Sequence, residues 1–231
     1  LMQKKPIIII SVLCVISLAL GYLSGLKEEE SLSNDDAETN SKKEPEFLKE
    51  GLVAYYPFNG NANDKKYEEV ALSVDRHGSA NSAFSFFGAG IKIKNLLLPQ
   101  GADSRTLSLW VRARVFLEGT AVIAQWGQPN YNEAFGVYIK SGKWMGGAFG
   151  PDLSSDIDVS YDWYHVVLGF EDELLRVFVN GILCAEDQRT LNSTGLELSL
   201  ACEVGSFDKY AFKGELDDVR IYNRALSAEE V

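Results

Sequence analysis

From Phe47 onward the chain is a succession of short runs rich in β-branched and aromatic residues, separated by Gly, Asn, Asp and Pro. No stretch of ten or more residues carries a helical repeat. The runs are Leu52–Phe58, Ala83–Phe87, Gly90–Lys94, Thr106–Val115, Ala121–Trp126, Ala134–Ile139, Trp144–Phe149, Trp163–Phe170, Leu174–Val179, Ile182–Glu186, Leu196–Val204 and Leu216–Tyr222. Period-2 patterning over such lengths predicts strands. Asn180-Gly181 between two of them is a two-residue hairpin signal, and Ser141-Gly142-Lys143 is a weaker one. Many short strands without helices predict an all-β sandwich or barrel. A domain of about 185 residues buries enough surface to hold such a fold without staples.

The last run poses a chemical question. Val219 and Ile221 alternate with Asp218, Arg220 and Tyr222, so the stretch reads as a half-buried strand. Aspartate is depleted in strands. Strict alternation puts Asp217 on the apolar face of Val219 and Ile221, where a carboxylate needs a cation or several hydrogen bonds.

Phe212-Lys-Gly-Glu-Leu-Asp-Asp-Val-Arg-Ile-Tyr-Asn-Arg-Ala-Leu-Ser227 resembles the closing strand of laminin G-like jelly-roll domains of the concanavalin A-like lectin/glucanase superfamily. Gly51-Leu-Val-Ala-Tyr-Tyr-Pro-Phe-Asn-Gly-Asn-Ala-Asn-Asp64 resembles their opening strand. Asn81–Phe86, Thr106–Val111, Asp162–Val167 and Leu175–Gly181 match in order between them. The resemblance selects the two-sheet antiparallel jelly roll over residues 47–231, with the opening and closing strands adjacent in one sheet. It also implies a structural calcium between the oxygen-rich loop after the opening strand and the first Asp of the closing strand. Here that implicates Asn59, Asp64 and Asp217, although relatives often carry Asp where this chain has Asn59. Calcium takes six to eight oxygen ligands. The alternative is that these residues cap turns and Asp217 pairs with an arginine such as Arg220 or Arg224.

The same fold hosts retaining glucanases, which need two carboxylates about 5–5.5 Å apart. Glu215-Leu216-Asp217 begins their Glu-x-Asp pattern, but the residue that should supply the second Glu is Val219 or Arg220. No Cys-x-x-Cys, His-x-x-x-His or phosphate-cradling glycine loop is present. His165 reads as a satisfied strand residue, and His77 lies in a loop. The expectation is a non-catalytic binding module for glycan. The alternatives are an adhesion domain that contacts proteins and, third, an atypical glucanase. Trp126, Tyr131 and Trp144 lie near turns and are the candidates for stacking on sugar rings, the alternative being that each packs one sheet edge. Cys184 and Cys202 are the candidates for a disulfide, the alternative being two buried thiols.

Residues 1–26 precede the fold. Lys4 and Lys5 followed by an apolar run from Ile7 to Leu26 read as an export signal or a signal anchor, placing the rest of the chain outside the membrane, at the cell envelope or beyond. Residues 27–46, with Glu28-Glu29-Glu30 and Asp35-Asp36, read as a solvated, disordered linker. The net charge of −11 argues against a nucleic-acid partner and favours cations, neutral glycans or basic proteins. Membrane contact is expected only through the N-terminal segment.

Overall fold

Three two-residue hairpins set the frame of the domain. Ser141–Gly142, Asp172–Glu173 and Asn180–Gly181 all have positive φ at both positions, the backbone that matches the twist of antiparallel strands. The computed structural model describes residues 44–60, 70–115, 118–147, 149–150 and 152–231. The apolar segment 1–26, the linker up to residue 43 and Asp64 lie outside the described residues. Among the described residues no helix is long and apolar enough to cross a membrane. The one described helix is a single 3₁₀ turn, Glu46–Lys49.

In chain order the strands are β1 (Leu52–Tyr56), β2 (Val70–Ser73), β3 (Ala83–Phe87), β4 (Ile91–Ile93), β5 (Arg105–Ala113), β6 (Thr120–Gly127) and β7 (Ala134–Lys140). They continue with β8 (Lys143–Gly147), β9 (Leu153–Asp158), β10 (Trp163–Glu171), β11 (Leu174–Val179), β12 (Ile182–Gln188), β13 (Leu198–Leu200) and β14 (Lys213–Tyr222). Two of these, β2 and β9, lie outside the strands read from the pattern.

They form two antiparallel sheets. The larger runs β12-β11-β10-β5-β14-β3-β2, with β1 also paired to β14. The smaller runs β4-β13-β6-β7-β8-β9. β14 is flanked along one side first by β3, opposite Lys213–Leu216, and then by β1, opposite Val219–Tyr222. The opening and closing strands are therefore neighbours, as the resemblance implies. The core lies between the sheets and includes Leu107, Leu109 and Val111 of β5, Val166 and Leu168 of β10, and Phe135, Val137 and Ile139 of β7.

The compact unit begins at Glu44, slightly earlier than the expected boundary at 47. Glu44 pairs with Arg220, and Arg224 donates to the carbonyls of Phe47 and Glu50 (both 2.9 Å).

Two β-bulges reverse the alternation of their strands. In β14, Asp217 lies opposite Trp110 and Arg220 opposite Ser108, so three steps on β14 match two on β5. Asp218, at φ 46°, is the extra residue. Leu216, Val219 and Ile221 point into the core, while Asp217 and Arg220 lie on the outer face. The strict alternation expected for this stretch is thus corrected: Asp217 does not share the face of Val219. In β6 a bulge between Val122 and Ala124 does the same. Ala121, Ile123, Ala124 and Trp126 enter the core, which leaves Gln125 on the outer face.

Cys184, partly buried, and Cys202, buried, are both free thiols rather than a bridge. Cys184 lies on β12, the edge strand of the larger sheet that runs beside β9. Cys202 follows β13, at the opposite side of the smaller sheet. Burial pushes the Cys202 thiol up to about 11, so it is inert as a nucleophile.

Candidate ligand groove

One of the expected metal donors, Asp217, meets a different cation. Arg76 stands on the turn Asp75–Ser79, which is closed by the Asp75 carboxylate accepting from the backbone N–H of His77 and Ser79 (both 2.8 Å). Its guanidinium donates to Asp217 Oδ2 and, at 2.5 Å, to Asp218 Oδ2. It also lies 4.8 Å from the ring centre of Trp110. Tyr55 donates its hydroxyl to Asp218 Oδ1 (2.5 Å). Arg220 pairs with Glu44 and rests over the Tyr55 ring rather than serving Asp217. Burial and the adjacent Asp218 push Asp217 up to about 6, against the pull of Arg76.

Asn59 is exposed, and Asp64 lies outside the described residues. Among the described residues no three acidic, His or Cys side chains gather in a way that could hold a metal ion. With a guanidinium already on Asp217, the described donors do not fit a calcium ion. On the same face His165 Nε2 bonds Ser108 Oγ (2.8 Å) and its ring stacks on Trp110. Glu215, the first carboxylate of the glucanase-like pattern, is held between Arg112 (3.2 Å) and Arg114 (2.5 Å).

Of the three aromatic residues expected to stack on sugars, two are core residues. Trp126 is 0% exposed, donates Nε1–H to the Pro99 carbonyl (3.3 Å) and packs on Phe135. Trp144 is also 0% exposed and packs on Tyr164. The β6 bulge turns Trp126 inward. Trp144 is opposite Ile139, another core residue, so register fixes its face. Tyr131 alone of the three reaches the surface, at 67% exposed, and its ring lies beside Gly150.

Gly150 stands at the rim of a concave feature on this domain. Over the outer face of the smaller sheet lies a groove of about 280 Å³. One cross-strand row forms its floor: Gln125 opposite Gly136, and Gly136 opposite Gly147. Two glycines in a row remove the side chains that would fill the trough. A Cβ on Gly136 would stand 2.6 Å from the Ala124 carbonyl, and one on Gly147 2.6 Å from the Tyr138 hydroxyl.

The next outer row is Val122, Tyr138 and Met145. Tyr138 donates its hydroxyl to Asp152, which also receives Lys140. Burial and the Asp152 carboxylate raise the Tyr138 phenol, which stays protonated. Glu203, tied to Lys209 (2.7 Å), and Tyr210 form one wall. Phe149, Gly150 and Asp152 form the other. Gln125 is 6% exposed, and its side-chain oxygen is buried with no hydrogen-bond partner. It is the one described groove residue with such an atom.

None of these groove residues belongs to a recognisable motif. The one sequence signal is Gly136 and Gly147, since glycine inside a strand marks a close approach or a space left open.

Comparison with known proteins places the fold. No curated protein matches the chain. Among solved structures, domain 4 of AbnA, a GH43 extracellular arabinanase from Geobacillus stearothermophilus in complex with arabinotriose, superposes with a TM-score of 0.58 at 19% identity. The match covers 78% of this chain and 95% of that one. The binding domain of Paraclostridial Mosquitocidal Protein 1 gives a TM-score of 0.55 at 17% identity, covering 79% of this chain and 51% of that one. The Botulinum neurotoxin serotype D binding domain gives 0.53 at 14%, covering 78% and 49%. The family model of the concanavalin A-like lectin/glucanases superfamily matches residues 87–231, more than half of the chain, and the protein belongs to that family.

Proposed function

We propose that this protein is a non-catalytic glycan-binding module whose ligand lies in the groove over the smaller sheet. The observation that carries the reading is the glycine floor beside Gln125, whose buried acceptor has no partner within the protein. A buried polar group left unpaired costs about 1–3 kcal/mol, and turning the amide toward a ligand hydroxyl would remove that cost. Concave sites with a few converging polar groups are the usual form of a small-molecule site. The likeness to an arabinanase domain holding arabinotriose supports the same class of ligand. The carboxylates of the glucanase-like pattern are neutralised by arginines, which supports binding without hydrolysis.

Export, with the Ile7–Leu26 run as signal or anchor, belongs to the same proposal and rests on the sequence alone. Fractionation of the producing cells tests it: recovery of the full chain in the cytosol would refute it.

The test of the module is calorimetric titration of the whole chain with a panel of oligosaccharides, repeated on Gly147→Val. The valine side chain occupies the trough and pushes the Tyr138 ring end aside, so binding is expected to fall at least tenfold while the protein still melts as a folded domain, a few degrees lower. A folded protein that binds nothing in the panel would turn the reading to protein adhesion. One observation already favours that second reading: Leu97, 86% exposed, stands at an open cleft that it lines with Leu52, Leu98, Asp103 and Asn223.

A further inference from the structure

The charges around the groove deepen this reading and rest on it. We infer that the groove takes an uncharged saccharide and excludes one bearing a carboxylate, sulfate or phosphate.

The charged side chains that line it are Lys140, Asp152 and Glu203, two acids to one base. Lys140 is already bound to Asp152, and Tyr138 donates to the same carboxylate. Lys209 lies beyond the lining and is bound to Glu203, whose side chain is almost fully buried. The next cation, Arg189, pairs with Asp187 at 2.5 Å. A ligand anion would have to share a lysine with Asp152 or Glu203, whose carboxylate would stay beside it. Like charges brought together in a partly desolvated groove are disfavoured, and the chain's net charge of −11 repels anions before contact. Among the described lining residues the one buried atom without a partner is the neutral amide oxygen of Gln125, an acceptor that a turn of the side chain would present to the groove. It asks for a hydroxyl donor, which any saccharide offers, so the discrimination itself rests on the charges. Specificity here comes from groups that refuse the wrong ligand as much as from those that hold the right one.

Titration of the whole chain with arabinotriose and cellotriose, as neutral probes, and with trigalacturonic acid and sialyllactose, as acidic ones, tests this. A neutral probe is expected to bind, with an affinity unchanged between low and high salt, and the acidic probes at least tenfold more weakly. The double variant Asp152→Asn with Glu203→Gln should relax the discrimination, improving the acidic probes at least threefold relative to the neutral ones. Gln125→Met, close in volume and without the acceptor, should weaken the neutral probe about tenfold. Tighter binding of an acidic probe by the unaltered protein overturns the inference and leaves the glycan-binding reading standing. Binding of no saccharide by the folded protein overturns both. Discrimination that the double variant leaves intact overturns the electrostatic cause.

Discussion

Asp217 carries a charge on a nearly buried carboxylate, and the residue that makes this tolerable stands 141 positions earlier in the chain, on a turn. Removing Arg76 strands both Asp217 and Asp218. Breaking a buried pair by deleting one partner costs about 3–5 kcal/mol, and the partial exposure of Arg76 reduces that figure. Arg76→Met is therefore expected to destabilise the domain by about 2–3 kcal/mol in denaturant titration. Adding Asp217→Asn should restore part of the loss.

His165 gives a pH dependence of known sign. Burial, with Arg76 and Arg220 nearby, holds it down to about 4, below its ordinary value near 6.5, while Asp218 opposes the shift. The unfolded chain then takes up the proton first as pH falls. The stability tied to neutral His165 is complete above about pH 6.5 and is lost progressively as pH falls toward 4, up to about 3 kcal/mol in all. Asp217 acts in the opposite sense over much of the same window, since its folded value is raised. The net acid limb is shallower than His165 alone would give. His165→Gln should flatten it further, measured as unfolding free energy against pH.

At this scale the sequence announced that Asp217 needed a partner. It hid which one, because nothing in the local pattern ties the Asp75–Ser79 turn to the closing strand.

Elements were legible where alternation was clean and hidden where it was not. The twelve runs read from the pattern all hold strands, and the Asn180–Gly181 hairpin forms as its residues demand. β2 and β9 escaped for a shared reason. Both are edge strands: β2, Val-Ala-Leu-Ser, is only four residues long with its middle exposed, and β9, Leu-Ser-Ser-Asp-Ile-Asp, shows no continuous apolar face. The more consequential misses are the bulges. One extra residue in β6 and one in β14 exchange the faces of everything beyond them. That is why Trp126, which reads as a surface aromatic, is core, and why Gln125, which no motif singles out, reaches the groove.

The two floor glycines should answer differently to the same change. At Gly136 an added methyl meets a backbone carbonyl and the Cβ of Gln125, neither of which can swing away. Gly136→Ala is expected to cost about 1–3 kcal/mol in a thermal melt. At Gly147 it meets the far end of the Tyr138 side chain, so Gly147→Ala should cost well under that figure. It should still weaken ligand binding, which separates the groove's shape from the sheet's stability.

For the molecule as a whole, the joining of the two chain ends in the larger sheet decides what can be trimmed. Glu44 and the carbonyls of Phe47 and Glu50 hold Arg220 and Arg224 from outside the strands. A fragment beginning at Gly51 is expected to melt several degrees below one beginning at Ser41, with the same groove and the same ligand affinity.

The pairing of β1 with β14 has a mechanical consequence. Leu52 faces Tyr222, and the N–H of Asn223 reaches the carbonyl of Gly51 (2.9 Å), so the outermost rung sits where the chain enters and leaves the domain. The inner rung, Tyr56 opposite Val219, lies at the far end. Antiparallel rungs run perpendicular to the strands. Tension applied to both ends of the domain therefore falls on one rung at a time, and the ladder opens like a zip. Under tension between two attachment points the domain should yield at low force from this end, peeling β1 away while the six-stranded sheet and its groove are still intact. A tether at one end alone carries no load through it.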